Sequence, residues 1–290
     1  MRTKQLAAIV ACAVSCLLPA TALGSTKSPK KQSITPTYYV ALGDSLSAGA
    51  QPTLAGKTVP TDQGYANDLL ATEQHKIKGL KLEDLGCLGE STTTMLKGGP
   101  HCTYKGVQLK EAVAFIKTHK IAFVTLDIGA NDVDGCASMS GAALVTCVES
   151  GLKTVTANTP KIVKALRHAI GKQVPILGMN YYDPFLADFL GDTSGQALAM
   201  ESVGLSKLLG DDLAKAFKPQ KVKLVDVANA FQTFVPFTTK TNLAGHGQVP
   251  VAVARICTFT WMCAPKPRGP NIHANKAGYK KIAGVFAAKL

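Results

Sequence analysis

Five short apolar segments, separated by longer stretches with helical spacing, limit most sharply what this chain can fold into. Segments 38–42, 80–85, 121–128, 174–179 and 222–227 are rich in β-branched and other apolar residues, the pattern of strands buried on both faces. Between and after them, residues 65–74, 107–119, 142–170, 193–217 and 275–290 carry helical periodicity, with a break expected at Thr159-Pro160. Regular alternation of strand and helix implies a parallel sheet covered by helices on both faces. In such sheets ligands sit beyond the carboxyl ends of the strands, so residues that carry chemistry should directly follow strands.

The N-terminus speaks to compartment. Arg2 and Lys4 precede an apolar run over 6–23, interrupted only by Ser15, Pro19 and Thr21. This is the layout of a secretory signal peptide, expected over 1–24. Pro19 and the early small-residue exit disfavour a membrane span, and the run continues too far past Cys12 for lipid attachment there. Residues 25–37 form a Lys-, Ser- and Pro-rich leader without periodicity, expected to lack order. The remainder, 38–290, has the length of one large domain and shows no internal repeat or linker.

The formal charge of +13 comes from lysines scattered along helical patterns. That distribution describes a solvated surface and excludes an aromatic-interleaved nucleic-acid stripe. It leaves weak attraction to an anionic envelope surface as the one electrostatic partner expected. A monomer is the default.

Of eight cysteines, six follow the leader: Cys87, Cys102, Cys136, Cys147, Cys257 and Cys263. An even number in an exported chain points to disulfides, with pairing between sequence neighbours the simplest scheme. A zinc site lacks the close ligand spacing it needs.

Four blocks carry candidate chemistry. After the first strand, Gly43-Asp44-Ser45-Leu46 places a serine in a glycine-containing turn. Gly89 follows the second strand, where an N–H with no side chain in its way can approach a substrate oxygen. Gly129-Ala130-Asn131-Asp132 follows the third, and an amide donor such as Asn131 can bind an oxyanion without itself ionising. His273 lies in a loop before the last helix, with Asn275 placed to cap that helix. Each block alone is equally an ordinary turn, a capped loop or a structural histidine.

Their order and placement together resemble the signature blocks of the SGNH (GDSL) hydrolase family, across residues 38–290. The resemblance implies a three-layer α/β/α, flavodoxin-like fold with a five-stranded parallel sheet. It also implies Ser45 as nucleophile and first oxyanion donor, Gly89 and Asn131 as further donors, and His273 as general base. No cofactor is expected, and the reaction is hydrolysis of a small-molecule or lipid carboxylic ester.

One position departs from the family pattern. The residue three before the histidine, commonly Asp, is Pro270, and the next is Asn271. Either the Asn271 side chain or a backbone carbonyl near Gly269 must then orient the imidazole, and the Pro-flanked loop favours the carbonyl. Two alternative readings remain: a polysaccharide acetylesterase using the same residues, and a non-catalytic envelope-binding protein with a degenerate site. Residues 181–186 and 231–237 are the aromatic and apolar stretches expected to line an acyl pocket.

Overall fold

A computed structural model describes residues 36–99, 102, 104, 106–139 and 141–290. The expected signal peptide and almost all of the leader lie outside the described residues. In chain order the elements are β1 (Thr37–Gly43), β2 (Gln51–Pro52), β3 (Thr58–Val59), α1 (Tyr65–Glu73) and β4 (Leu80–Asp84). Then come α2 (Thr92–Lys97), α3 (Gln108–Thr118), β5 (Lys120–Asp127), α4 (Gly141–Ile170) and β6 (Ile176–Met179). The remaining elements are α5 (Thr193–Phe217), β7 (Lys223–Val225), α6 (Val227–Ala230), β8 (Lys240–Leu243), β9 (Gly247–Pro250), α7 (Val251–Phe259) and α8 (Lys276–Ala287).

Strands β4-β1-β5-β6-β7 form one all-parallel sheet. Tyr39, Val40, Ala41 and Leu42 of β1, Val124 and Leu126 of β5, and Ile176, Leu177 and Met179 of β6 are fully buried. That is the cost-free arrangement for strands without a polar face, since each buried aliphatic side chain contributes about 1.5–3 kcal/mol. Helices α1, α6, α7 and α8 pack together on one side, with the Tyr65 and Phe286 rings stacked at 4.9 Å. On the other side α4 packs against α2, α3 and α5. The five expected strands and the long helices are present, in the three-layer flavodoxin-like arrangement. Strand order reverses between β1 and β5, so the crevice for a ligand lies above the ends of these two strands.

The break expected at Thr159-Pro160 does not occur: α4 runs unbroken from Gly141 to Ile170 with Pro160 inside it. Val155, Thr159, Ile162, Val163 and Leu166 are all buried, so one packed face continues through the proline and outweighs the single backbone bond it removes. The hairpins β2–β3 and β8–β9 and the helices α2, α6 and α7 were not expected from the sequence. The strands of these hairpins are only two to four residues long, too short to display a period.

Disulfides join Cys87 to Cys102, Cys136 to Cys147 and Cys257 to Cys263, with Cα separations of 5.7, 5.7 and 4.9 Å. This is the expected neighbour pairing. Glu90 lies beside Cys87 and Cys102, but those two sulfurs are bonded to each other rather than arranged around an ion.

Candidate active site

The turn after β1 is built on glycine. Gly43 has φ +146°, and a Cβ there would fall 2.2 Å from the Asp127 carbonyl oxygen, so only glycine lets the ends of β1 and β5 come this close. The Gln108 side-chain amide accepts from the Gly43 N–H and donates to its carbonyl, both at 2.9 Å. Asp127 Oδ2 accepts the N–H groups of Asp44 (3.2 Å) and Ser47 (3.1 Å). Asp44 in turn accepts the Leu46 N–H at 2.9 Å and the Tyr181 hydroxyl at 2.7 Å. The amides of residues 44, 46 and 47 are thus held, whereas no hydrogen bond among the described residues uses the Ser45 N–H. Burial raises both carboxyls, Asp127 furthest, because the neighbouring Asp44 charge opposes ionisation of a second acid.

Two further loops are tied to each other. The Asn131 amide donates to the Glu90 carbonyl at 2.9 Å, and Asp132 accepts from the Thr92 N–H and hydroxyl, each at 2.8 Å. Glu90 accepts the Tyr104 hydroxyl at 2.8 Å, and Gln108 donates to that hydroxyl at 3.1 Å, which links this pair of loops to the Ser45 turn. Asn131 keeps a second amide hydrogen. The Gly89 N–H is likewise used by no hydrogen bond among the described residues. A Cβ at Gly89 would meet no protein atom within 4 Å. Its φ of +78° is what requires glycine.

His273 is held by its neighbours rather than by α8. Its carbonyl accepts the Trp261 N–H at 3.0 Å, and the Ile272 carbonyl accepts the Tyr182 hydroxyl at 2.8 Å. Trp261 sits inside the loop closed by Cys257–Cys263, and its indole N–H donates to Gln51 at 2.7 Å. Asn275 caps α8 through the N–H groups of Ala277 (3.0 Å) and Gly278 (3.1 Å).

The backbone carbonyl expected to orient the imidazole is not the group it faces. His273 Nδ1 lies 2.7 Å from Asn271 Oδ1, which also accepts the His273 backbone N–H at 3.1 Å. The amide is fixed in that orientation because Asn271 Nδ2 donates to Thr58 Oγ1 at 2.9 Å. Thr58 belongs to β3, a two-residue strand with no sequence signal, and it supplies the specific flip that made Asn271 the less favoured choice. An amide oxygen only accepts, so the contact places the proton on Nδ1 and leaves a lone pair on Nε2. Burial, with no carboxylate to oppose it, lowers the imidazole to about 4.

Ser45, Asn131 and His273 line one cavity, while Gly89 is outside its lining. Ser45 and His273 are not directly hydrogen-bonded among the described residues, and such catalytic contacts commonly tighten only in the substrate complex. Much of the remaining wall is aliphatic, made by Val148 and Leu152 of α4 and by Leu198, Leu205 and Leu209 of α5, with Asp134 and Asp183 beside them. Of the stretches expected to line an acyl pocket, residues 181–185 do so. Residues 231–237 do not: Phe231 is fully buried against Tyr182, and Phe237 packs on Phe189. The helix residues that replace them were missed because an apolar stripe on a long helix reads equally well as core.

A flavodoxin-like sheet with serine, amide and histidine gathered at its switch point defines the SGNH class of ester hydrolases. Residues 39–286 match the GDSL-like lipase/acylhydrolase family, and the chain belongs to it. It is a carboxylic ester hydrolase. No curated protein matches the sequence. Among solved structures it is similar to phospholipase A1 from Streptomyces albidoflavus, at 20% identity and a TM-score of 0.59 over 88% of this chain and 100% of that one. An extracellular lipase from Streptomyces rimosus gives 18% identity and a TM-score of 0.57 over 88% and 100%. An acetyl-xylooligosaccharide esterase from Geobacillus gives 15% and 0.52 over 88% and 95%. At these identities the likeness speaks for the fold.

Proposed function

We propose that the protein is an exported esterase that cleaves carboxylic esters through an acyl-enzyme on Ser45, with His273 as base and the acyl chain in the cavity between α4 and α5. The observation that carries this reading is the Asn271–His273 contact, which leaves Nε2 unprotonated in a histidine that lines the same cavity as Ser45. Ser45 Oγ attacks the ester carbonyl while Nε2 takes its proton. Negative charge developing on the carbonyl oxygen is met by the N–H groups of Ser45 and Gly89 and by Asn131 Nδ2. The imidazolium then protonates the departing alcohol, and water repeats the sequence on the acyl-enzyme.

The apolar depth of the cavity favours an alkyl acyl group over the acetyl group of a decorated polysaccharide. Three disulfides accord with export, as does the signal-peptide layout of residues 1–24. Among the described residues no helix is long and apolar enough to cross a membrane. The test is hydrolysis of p-nitrophenyl esters from acetate to palmitate, beside acetylated xylan, by wild type and Ser45→Ala. Turnover that peaks on a medium or long chain and vanishes in Ser45→Ala is expected. Full activity in Ser45→Ala would overturn the nucleophile, and a preference for acetylated xylan would overturn the acyl-chain assignment.

A further inference from the structure

The aliphatic cavity contains two carboxyl groups that the ester chemistry does not use. Asp183 is 3% exposed and lines the cavity, and its Oδ1 accepts the Phe185 N–H at 3.0 Å while Oδ2 has no hydrogen-bond partner. The Ser202 hydroxyl lies near enough to favour the ionised Asp183, but its own hydrogen bond goes to the Ala199 carbonyl at 3.1 Å. Asp134 lines the same cavity and makes no side-chain hydrogen bond among the described residues. A chain of methylene groups filling this space would remove water from both acids and give neither a partner. Selection against an unpartnered buried polar group is the strongest discrimination a pocket can make.

We infer that the cavity is a subsite for an acyl chain bearing a hydroxyl group, which Asp183 and Asp134 bind by hydrogen bonds. The inference rests on the esterase reading and sharpens its substrate class. A hydroxyl suits the site better than an ammonium group. Burial raises Asp183 to about 6 and Asp134 to about 7, so near neutrality the pair presents both carboxylate and acid forms, and an ammonium group, which only donates, fits the carboxylate alone. A hydroxyl donates to the carboxylate form and accepts from the acid form, and so fits both.

The experiment compares kcat/KM for p-nitrophenyl octanoate, its 3-, 6- and 8-hydroxy derivatives and 8-aminooctanoate, in wild type, Asp183→Ala and Asp134→Leu. One hydroxy isomer should exceed octanoate by tenfold or more in wild type, and that ratio should fall to within twofold of unity in the variants. Asp134→Leu removes no hydrogen bond and carries the test if Asp183→Ala, which loses a helix cap, does not fold. Hydroxy esters all within threefold of octanoate, a ratio unchanged in the folded variants, or a preference for the amino ester would overturn the subsite. Octanoate turnover that depends on Ser45 reports the esterase reading separately, so an active enzyme with a flat ratio refutes the subsite alone.

Discussion

The amide oxygen of Asn271 stands 2.7 Å from Nδ1 of His273. A neutral acceptor fixes the tautomer but stabilises the imidazolium less than a carboxylate does. Asn271→Ala should therefore lower kcat/KM by on the order of a hundredfold, through loss of the tautomer and ring orientation. Steady-state kinetics on a folded variant would check this, and a loss of only two- or threefold would show that the contact does not matter.

The pH profile should carry the same signature. His273 must be neutral to act as base, and burial holds it at about 4, so kcat/KM should stay flat down to pH 5 and fall only below about pH 4. In Asn271→Asp the new carboxylate favours the protonated ring and raises its pKa, so the acidic limb should move up by one unit or more. Stability follows the opposite logic. The unfolded histidine binds its proton near its ordinary value of 6.5, so between that value and 4 the unfolded state holds more protons. This group's contribution to stability is complete above pH 6.5 and is lost as pH falls through 4. Thermal melts of wild type and His273→Gln across that range would show the difference.

Asn131→Ala removes the proposed oxyanion donor and its bond to the Glu90 carbonyl. A loss of about 10²–10³-fold in kcat with little change in KM is expected, because the donor acts on charge that exists only in the transition state. Burst and steady-state kinetics on one ester would separate the two parameters, and a change confined to KM would remove Asn131 from the oxyanion site.

The Cys257–Cys263 disulfide closes a short loop that contains Trp261, whose N–H anchors the His273 carbonyl. Replacing both cysteines by serine should cost about 2–3 kcal/mol of stability. It should also lower kcat at temperatures where the protein remains folded, because the histidine loop loses its anchor. Denaturant titration together with activity would resolve the two effects.

Leu152 on α4 and Leu209 on α5 both line the cavity. Leu152→Trp should shorten it, lowering kcat/KM for long-chain esters at least tenfold while acetate hydrolysis changes little. A chain-length profile checks this, and an unchanged profile would place the acyl group elsewhere.

The sequence by itself determined the sheet, the strand ends and the candidate groups in the loops that follow them. Strands such as β1 and β5 are apolar on both faces, and this alone demands helices on either side. Ser45, Gly89 and Asn131 are legible because each follows a strand directly, so a local pattern encodes a global position. The disulfides were legible for a similar reason, since short loops pair sequence neighbours. What only the tertiary structure decided depends on residues far apart in the chain. Thr58 orients Asn271 across 213 positions, and that bond favours the side-chain amide over a backbone carbonyl as the partner of His273. The acyl cavity arises where α4 meets α5, and no periodicity tells a leucine facing a void from one facing a packed neighbour. Asp183 shows the same limit from the other side: its burial and its unpartnered oxygen follow from what the fold brings around it, which no stretch of sequence contains.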